Sequence, residues 1–171
     1  MAEITLTKEQ YARLPYKGTD ITRGKTYGEV IGLLEQHGIK DYQFTKFQGT
    51  DVLAFPLKIK RRDVELGFMV KLTVPRLMYP IYAGRGRREK KITYLENESW
   101  RIFWWHLKSK LEAIEFGISD EVREFMYNIA HTLPDGREVS LGDMVTENLQ
   151  QLDKLAIEDH SGPRIIDAEP L

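Results

Sequence analysis

The chain has 171 residues, of which 42% are hydrophobic and 30% charged. This apolar content predicts one folded domain of ordinary size and excludes global disorder. Cysteine is absent, which excludes disulfides, thiolate catalysis and cysteine-based zinc sites and makes a reducing cytoplasm the expected location. Residues 1–4 lack the order of a signal peptide, and no apolar run approaches the ~20 residues of a membrane span.

Charge is sorted along the chain although the total is nearly neutral, with 25 Lys+Arg against 26 Asp+Glu. Residues 57–110 contain 14 basic and 5 acidic side chains, a net of +9. Residues 111–171 contain 4 basic and 14 acidic side chains, a net of −10, and residues 1–56 balance at 7 and 7. A basic stretch that also contains aromatic residues is typical of a surface that binds a polyanion.

Two helices are predicted at the start of the chain. Thr7 and Gln10 have the spacing of a capping box ahead of a short helix. Thr26 and Glu29 form a second such box, and apolar residues then recur at helical spacing until Gly38. Glycine at this position predicts the end of the second helix.

Alternation of apolar and polar residues predicts three antiparallel strands in a meander. The strands cover residues 42–47, 53–59 and 64–74. Pro56 favours an edge position for the second strand, because proline cannot donate to a neighbouring strand. Residues 75–95 are predicted to be irregular.

A long helix is predicted from a cap at Asn97 or Ser99 to Gly117. Ile102 and Trp105 lie opposite its main apolar stripe, and a helix that is apolar on two faces is expected between two layers or against another subunit. The stripe itself consists of Trp100, Phe103, Trp104, Leu107, Leu111 and Ile114.

Two further helices are predicted, one capped by Ser119 and one by Ser140, with a tight turn at residues 133–137 between them. The expected fold is therefore α+β, in which a three-stranded antiparallel meander packs against a long helix and further C-terminal helices follow. We expect a single domain over residues 1–155 and a mobile acidic tail over residues 156–171.

The predicted order α-β-β-β-α over residues 26–117 occurs in double-stranded-RNA-binding domains. The meander followed by a long helix also resembles the core of proteins that anneal single strands. Both are likenesses of layout alone. The lysine cluster that opens the last helix of a double-stranded-RNA-binding domain is replaced here by Glu96, Asn97 and Glu98.

Three motifs resemble small uncharacterised proteins of bacteriophages and other mobile elements. They are W-R at residues 100–101, L-K-x-K-L-E-x-I-E at residues 107–115 and L-P-D-G-R at residues 133–137. At the level of layout the resemblance covers residues 26–145. It implies no assigned activity and no functional residue, but it favours a DNA-transaction or host-interaction role.

The segment 79–94 is the strongest candidate for ligand binding. Arginine and lysine neutralise phosphates and tyrosine rings stack on unpaired bases, a combination that suits single-stranded nucleic acid. The alternative is a solvated loop whose tyrosines pack inward. The candidate binding residues are Tyr82, Arg85, Arg87, Arg88, Lys90 and Lys91.

A second basic element lies at the predicted turn between the second and third strands. A basic hairpin tip can clamp a nucleic-acid backbone, although charge at strand ends also serves to block unwanted pairing. Lys71 and Arg101 are candidates to extend the same positive surface. The residues of the turn are Lys58, Lys60, Arg61 and Arg62.

Protein contacts are predicted for the helical half. Trp105 points away from the other tryptophans of its helix, which favours a subunit or partner contact. Glu121 and Glu124 belong to an acidic surface that is expected to meet a basic partner or a second copy of the chain. The alternative for each of these glutamates is a solvated helix surface.

No catalytic signature is present: the chain lacks a phosphate-binding loop, an HExxH zinc motif and a nucleophile elbow. No enzymatic activity, metal or cofactor is therefore expected. The leading prediction is a protein that binds or anneals single-stranded nucleic acid. No contact with a membrane is expected, and homo-oligomers are left as an open alternative. The alternative is a protein-interaction module, a host-directed inhibitor or assembly factor, that uses the acidic half. A nuclease ranks last.

Overall fold

The computed structural model describes residues 3–61, 64–82, 90–133 and 135–158, and the fold is α+β as predicted. Within these ranges, no helix is long and apolar enough to cross a membrane. The elements in chain order are β1 Ile4–Thr5, α1 Lys8–Ala12, α2 Arg23–Gln36, β2 Gln43–Phe47, β3 Thr50–Arg61, β4 Val64–Thr73, β5 Leu77–Tyr82, β6 Lys90–Tyr94, α3 Glu96–Glu115, α4 Glu121–Phe125, a 3-10 turn Met126–Asn128, β7 Ile129–Thr132, β8 Glu138–Ser140 and α5 Leu141–Glu158.

The predicted meander is present as β2, β3 and β4, but it belongs to a larger antiparallel sheet of order β2-β3-β4-β7-β8. A second sheet has the order β1-β5-β6. Helix α3 lies between the two sheets: its main stripe, including Trp100 and Leu107, packs into the core of the larger sheet. Ile102, on the other face, packs against the smaller cluster around Leu77 and Leu95. The second apolar face of α3 is thus explained by a second layer.

The prediction that residues 75–95 are irregular was wrong for residues 77–82 and 90–94, because β5 and β6 form an antiparallel pair there. Residues 83–89 lie outside the described part of the chain. Pro80 concealed the strand, since proline normally argues against a paired position. The α-β-β-β-α order is therefore wrong as well, because five strands separate α2 from α3.

The helix predicted after residue 119 is mostly absent. Asp120, and not Ser119, caps α4 by accepting a hydrogen bond from the Arg123 backbone N–H at 2.9 Å. The chain then leaves the helix through the 3-10 turn, because Ile129 pairs with Val70 on β4 and extends the large sheet. A pairing partner almost 60 residues away outweighs local helix propensity.

Two predicted helix starts were also wrong, and both have a tertiary cause. Thr22 caps α2, while Thr26 is fully buried inside that helix. Helix α3 begins after Leu95 without a side-chain cap. Its expected caps bond to other elements: the Asn97 side chain accepts from the Arg23 backbone N–H at 2.9 Å, and the Ser99 hydroxyl accepts from the Leu77 N–H at 3.3 Å.

Strand β3 is central in its first half and an edge in its second, which accommodates Pro56. Its pairing with β2 ends at Ala54, whereas its pairing with β4 continues to Arg61. Among the described strands, the remainder of β3 thus has one partner only, and a proline is tolerated at such a position. The predicted stops at Gly38 and Gly117 are confirmed by positive φ values of 76° and 69°.

The predicted domain boundary falls inside a helix. Ser140 caps α5 as expected, because its hydroxyl accepts from the Asp143 backbone N–H at 3.0 Å. Helix α5 then continues to Glu158, three residues into the predicted tail. Residues 159–171 lie outside the described part of the chain.

Candidate nucleic-acid interface and helix-end cleft

The five-stranded sheet covers the core with one face and leaves the other to solvent. Along β3 and β4 the inward side chains, such as Leu53, Phe55, Val70 and Leu72, are buried. Thr50, which stands opposite Phe47 in the outward set, is buried. We call the other outward residues the open face; none of them is buried. It consists of Gln43, Thr45, Phe47, Val52, Ala54, Pro56, Lys58, Gly67, Met69, Lys71, Thr73, Ala130, Thr132 and Glu138.

Two of the predicted lysines lie on the open face. Lys71 stands opposite Ala54 and Lys58 opposite Gly67, so four residues, roughly 13 Å, separate them along the strands. Lys71 forms an ion pair with Glu138 at 2.6 Å, and both side chains are partly exposed. Its charge is therefore partly compensated. Lys58 is exposed and lies nearer the end of the sheet.

Apolar side chains on the open face were missed by sequence reading. Phe47 is 64% exposed, and Met69 is exposed as well. The signal was present in the sequence, because Phe47 occupies an outward position in the alternation of β2. Thr50, opposite Phe47, and Ala54, opposite Lys71, are four residues apart on β3, roughly 13 Å. The exposed ring of Phe47 offers a stacking surface for an unpaired base.

Beyond their pairing with β2 and β7, β3 and β4 continue as a two-stranded arm. Strand β7 pairs only with Met69 and Val70, so residues 58–61 and 64–67 have no further strand beside them in the described structure. From Lys58 to Arg61 the arm extends roughly 10 Å at ~3.3 Å per residue. The backbone register places Lys60 opposite Glu65 and Arg61 opposite Val64. We call this the basic arm; Arg62 lies outside the described residues.

We call residues 83–89 of the predicted basic segment the basic loop; the two strands on either side of it, β5 and β6, belong to a different sheet from the arm. Tyr82 ends β5 and Lys90 begins β6, both in the smaller sheet. Lys91 is exposed on β6. Arg85, Arg87 and Arg88 lie outside the described residues.

The surroundings of Arg101 argue against its predicted place on the positive surface. Its side chain is only 10% exposed and is ion-paired with Glu29 of α2. The guanidinium also lies over the Trp104 ring, 4.3 Å from the centroid. Buried, paired and stacked, Arg101 joins α3 to α2 and is not available to a phosphate.

Trp105 already has contacts within the chain. It is 42% exposed, and its ring lies nearly parallel to Tyr16, 6.2 Å away, and edge-on to Trp104 at 4.9 Å. Part of its apolar surface is thus covered by the link between α1 and α2. The predicted partner contact would have to use the remaining surface.

The two predicted acidic interface residues have different surroundings. Glu124 is partly buried, and its carboxylate lies 3.5 Å from the Lys110 ammonium group. The Glu124 backbone carbonyl accepts a hydrogen bond from the same ammonium group. Partial burial, and then Lys110, lower the pKa of the neighbouring His106, and Glu124 acts in the opposite direction. Glu121 instead lines a cleft at the ends of the helices.

This helix-end cleft has a volume of about 660 Å³. It lies where α2 and α3 end, beside the part of β3 that pairs with β4 but not with β2, and its apolar wall includes Leu111, Ile114 and Phe125. His37 and Glu115 face each other across 3.7 Å on its rim. The ends of two helices favour a positive group there, since the helix dipole is negative at its C-terminus.

Known proteins provide no guide to this arrangement. No protein family, curated protein or solved structure matches the chain. Within the described residues, no group of three or more histidine, aspartate and glutamate side chains is placed to hold a metal ion.

Proposed function

We propose that the protein binds single-stranded nucleic acid on the open face and the basic arm. The observation that carries this proposal is a largely exposed sheet face that combines lysines with exposed apolar side chains. From Thr50, beside Phe47, to Lys58 the face extends roughly 26 Å along β3. In this arrangement Lys58 and Lys71 contact phosphates, and Phe47 stacks on a base. Strand protection or annealing in a phage-like element is the role we propose for such binding.

Fluorescence anisotropy with labelled single-stranded DNA and RNA tests the proposal. Affinity should fall steeply with salt, because phosphate neutralisation releases counterions. The double substitution Lys58→Gln/Lys71→Gln should weaken binding and reduce the salt slope by about 0.7 for each phosphate that a lysine no longer neutralises. Lys8→Gln, an exposed lysine on α1 away from the open face, is the matched control.

Phe47→Ala separates stacking from charge. Loss of one stacked base costs about 1–3 kcal/mol, or about 5–150-fold in affinity, and the salt slope should stay unchanged. If neither the lysine pair nor Phe47 affects a measurable affinity, the open face is not the site. The triple substitution Arg85→Ala/Arg87→Ala/Arg88→Ala then decides whether the basic loop binds instead.

The helix-end cleft supports a second candidate, a protein-interaction module. Phe116 and Ile118, in the loop after α3, are 71% and 77% exposed, and large apolar residues that cluster at such exposure are typical of contact surfaces. We propose that this loop and Glu121 receive a basic segment of a partner protein. Phe116→Ser/Ile118→Ser should abolish co-purification of that partner while strand binding is unchanged; retained co-purification would exclude this surface.

A further inference from the structure

A second cavity lies at the beginning of α2, on the core side of β2. Its volume is about 530 Å³, within the usual range of small-ligand sites. Six of the side chains around it carry the argument. They are Arg23, Tyr27, Phe44, Lys46, Asp51 and Trp100.

Three aromatic rings form its apolar wall. The Tyr27 and Phe44 centroids lie 4.6 Å apart, and each lies 5.8 Å from the centroid of Trp100. Tyr27 and Phe44 are only partly buried. Trp100 is fully buried, and its indole N–H has no hydrogen-bond partner among the described residues. Such a wall fits a flat heteroaromatic group, which stacks on rings and can offer polar edges.

The charged groups around the rings are joined by ion pairs. Arg23 bonds to Asp51 at 3.1 Å and to Glu96 at 3.3 Å, and its guanidinium lies 5.2 Å from the Trp100 centroid. Asp51 is largely buried, which places a fixed hydrogen-bond acceptor in the cavity. This carboxylate suits the exocyclic amino group of a base, because ionised carboxylates only accept hydrogen bonds.

The mouth of the cavity is open and carries an unpaired cation. Lys46 is exposed, stands opposite Asp51 in the register of β2 and β3, and forms no ion pair among the described residues, since Asp51 pairs with Arg23. Gly24, also at the cavity, has no side chain, and a Cβ placed there would meet nothing within 4 Å. One anionic group attached to the heteroaromatic ring therefore has both space and a counter-charge.

We propose that this aromatic cavity binds a mononucleotide, with the base against Tyr27 and Phe44 and the phosphate at Lys46. The proposal does not rest on strand binding at the open face. Phe44 and Phe47 belong to the same strand but differ by three positions, so they point to opposite faces of the sheet. The two sites can therefore be separated by matched substitutions.

Isothermal titration of the full chain with AMP, adenosine and inorganic phosphate tests the proposal. AMP should bind most tightly, adenosine more weakly and phosphate alone negligibly. Phe44→Leu should weaken AMP at least fivefold, whereas Phe47→Leu should leave it unchanged. Lys46→Gln should weaken AMP at least threefold without affecting adenosine, and Lys40→Gln, an exposed lysine in the link that follows α2, is its control.

Three results would overturn the proposal: no heat with AMP or adenosine at millimolar concentration, equal binding of phosphate and AMP, or equal losses in Phe44→Leu and Phe47→Leu. Circular dichroism establishes that each variant is folded. If Phe44→Leu does not fold, the comparison of Lys46→Gln with Lys40→Gln decides the outcome. Loss of AMP binding through Phe47 or Lys58 would move the nucleotide to the open face and equally refute the cavity.

Discussion

Removal of the Arg101 side chain tests whether this residue is structural or binds nucleic acid. Breaking a buried ion pair costs about 3–5 kcal/mol. Glu29, however, is 31% exposed and regains some hydration, so the lower end of that range applies. Contact with Trp104 adds about 0.5–1 kcal/mol. Arg101→Ala should therefore lower the free energy of unfolding by about 3.5–4 kcal/mol, and the Tm by about 7–16 °C for a domain of this size.

Urea and thermal unfolding followed by circular dichroism measure this effect. Arg123→Ala is the matched control, because Arg123 is an exposed arginine whose contact with Asp120 is 3.6 Å long; its removal should cost less than about 0.5 kcal/mol. In the double variant Glu29→Ala/Arg101→Ala, the destabilisation should be smaller than the sum of the two single effects. Unchanged stability in Arg101→Ala, together with reduced nucleic-acid affinity, would refute the structural assignment and restore the predicted binding role.

Two further predictions concern glycine and histidine. Gly28→Ala should raise the free energy of unfolding by about 0.5–1 kcal/mol, because its Cβ would meet nothing within 4 Å in the interior of α2. Gly142→Ala should lower the free energy of unfolding, because the new Cβ would lie 2.5 Å from Tyr127 Cδ1 and 2.9 Å from the Tyr127 carbonyl oxygen. Urea titration measures both variants, and a stabilised Gly142→Ala would contradict the predicted clash. Partial burial and then Lys110 lower the pKa of His106, so the unfolded chain binds the proton more readily than the folded chain. The contribution of His106 to the free energy of unfolding should therefore be fully present above the ordinary imidazole pKa of about 6.5 and should decrease as the pH falls below that value. His106→Gln should flatten that decrease in unfolding measurements between pH 5 and 7, and an identical pH profile would exclude His106 as its source.

The features that sequence alone determined are those with local physical causes. Alternation places Leu53 and Phe55 on one side of a strand whatever the strand pairs with, and the apolar stripe of α3 follows from helical spacing. Glycine ends α2 at Gly38 because a positive φ is least costly there. The order of the meander and the turn before Ser140 follow from equally short-range patterns.

Tertiary structure decided what depends on a distant partner. Ile129 became part of a strand because Val70 offers pairing groups, and Arg101 became structural because Glu29 lies beside it across 72 residues of chain. A sequence shows how many charged side chains are present, but whether each can contact a ligand depends on its burial and on ion pairs with residues distant in the chain. For the same reason the aromatic cavity, built from α2, β2 and the start of α3, had no local signal by which it could be predicted.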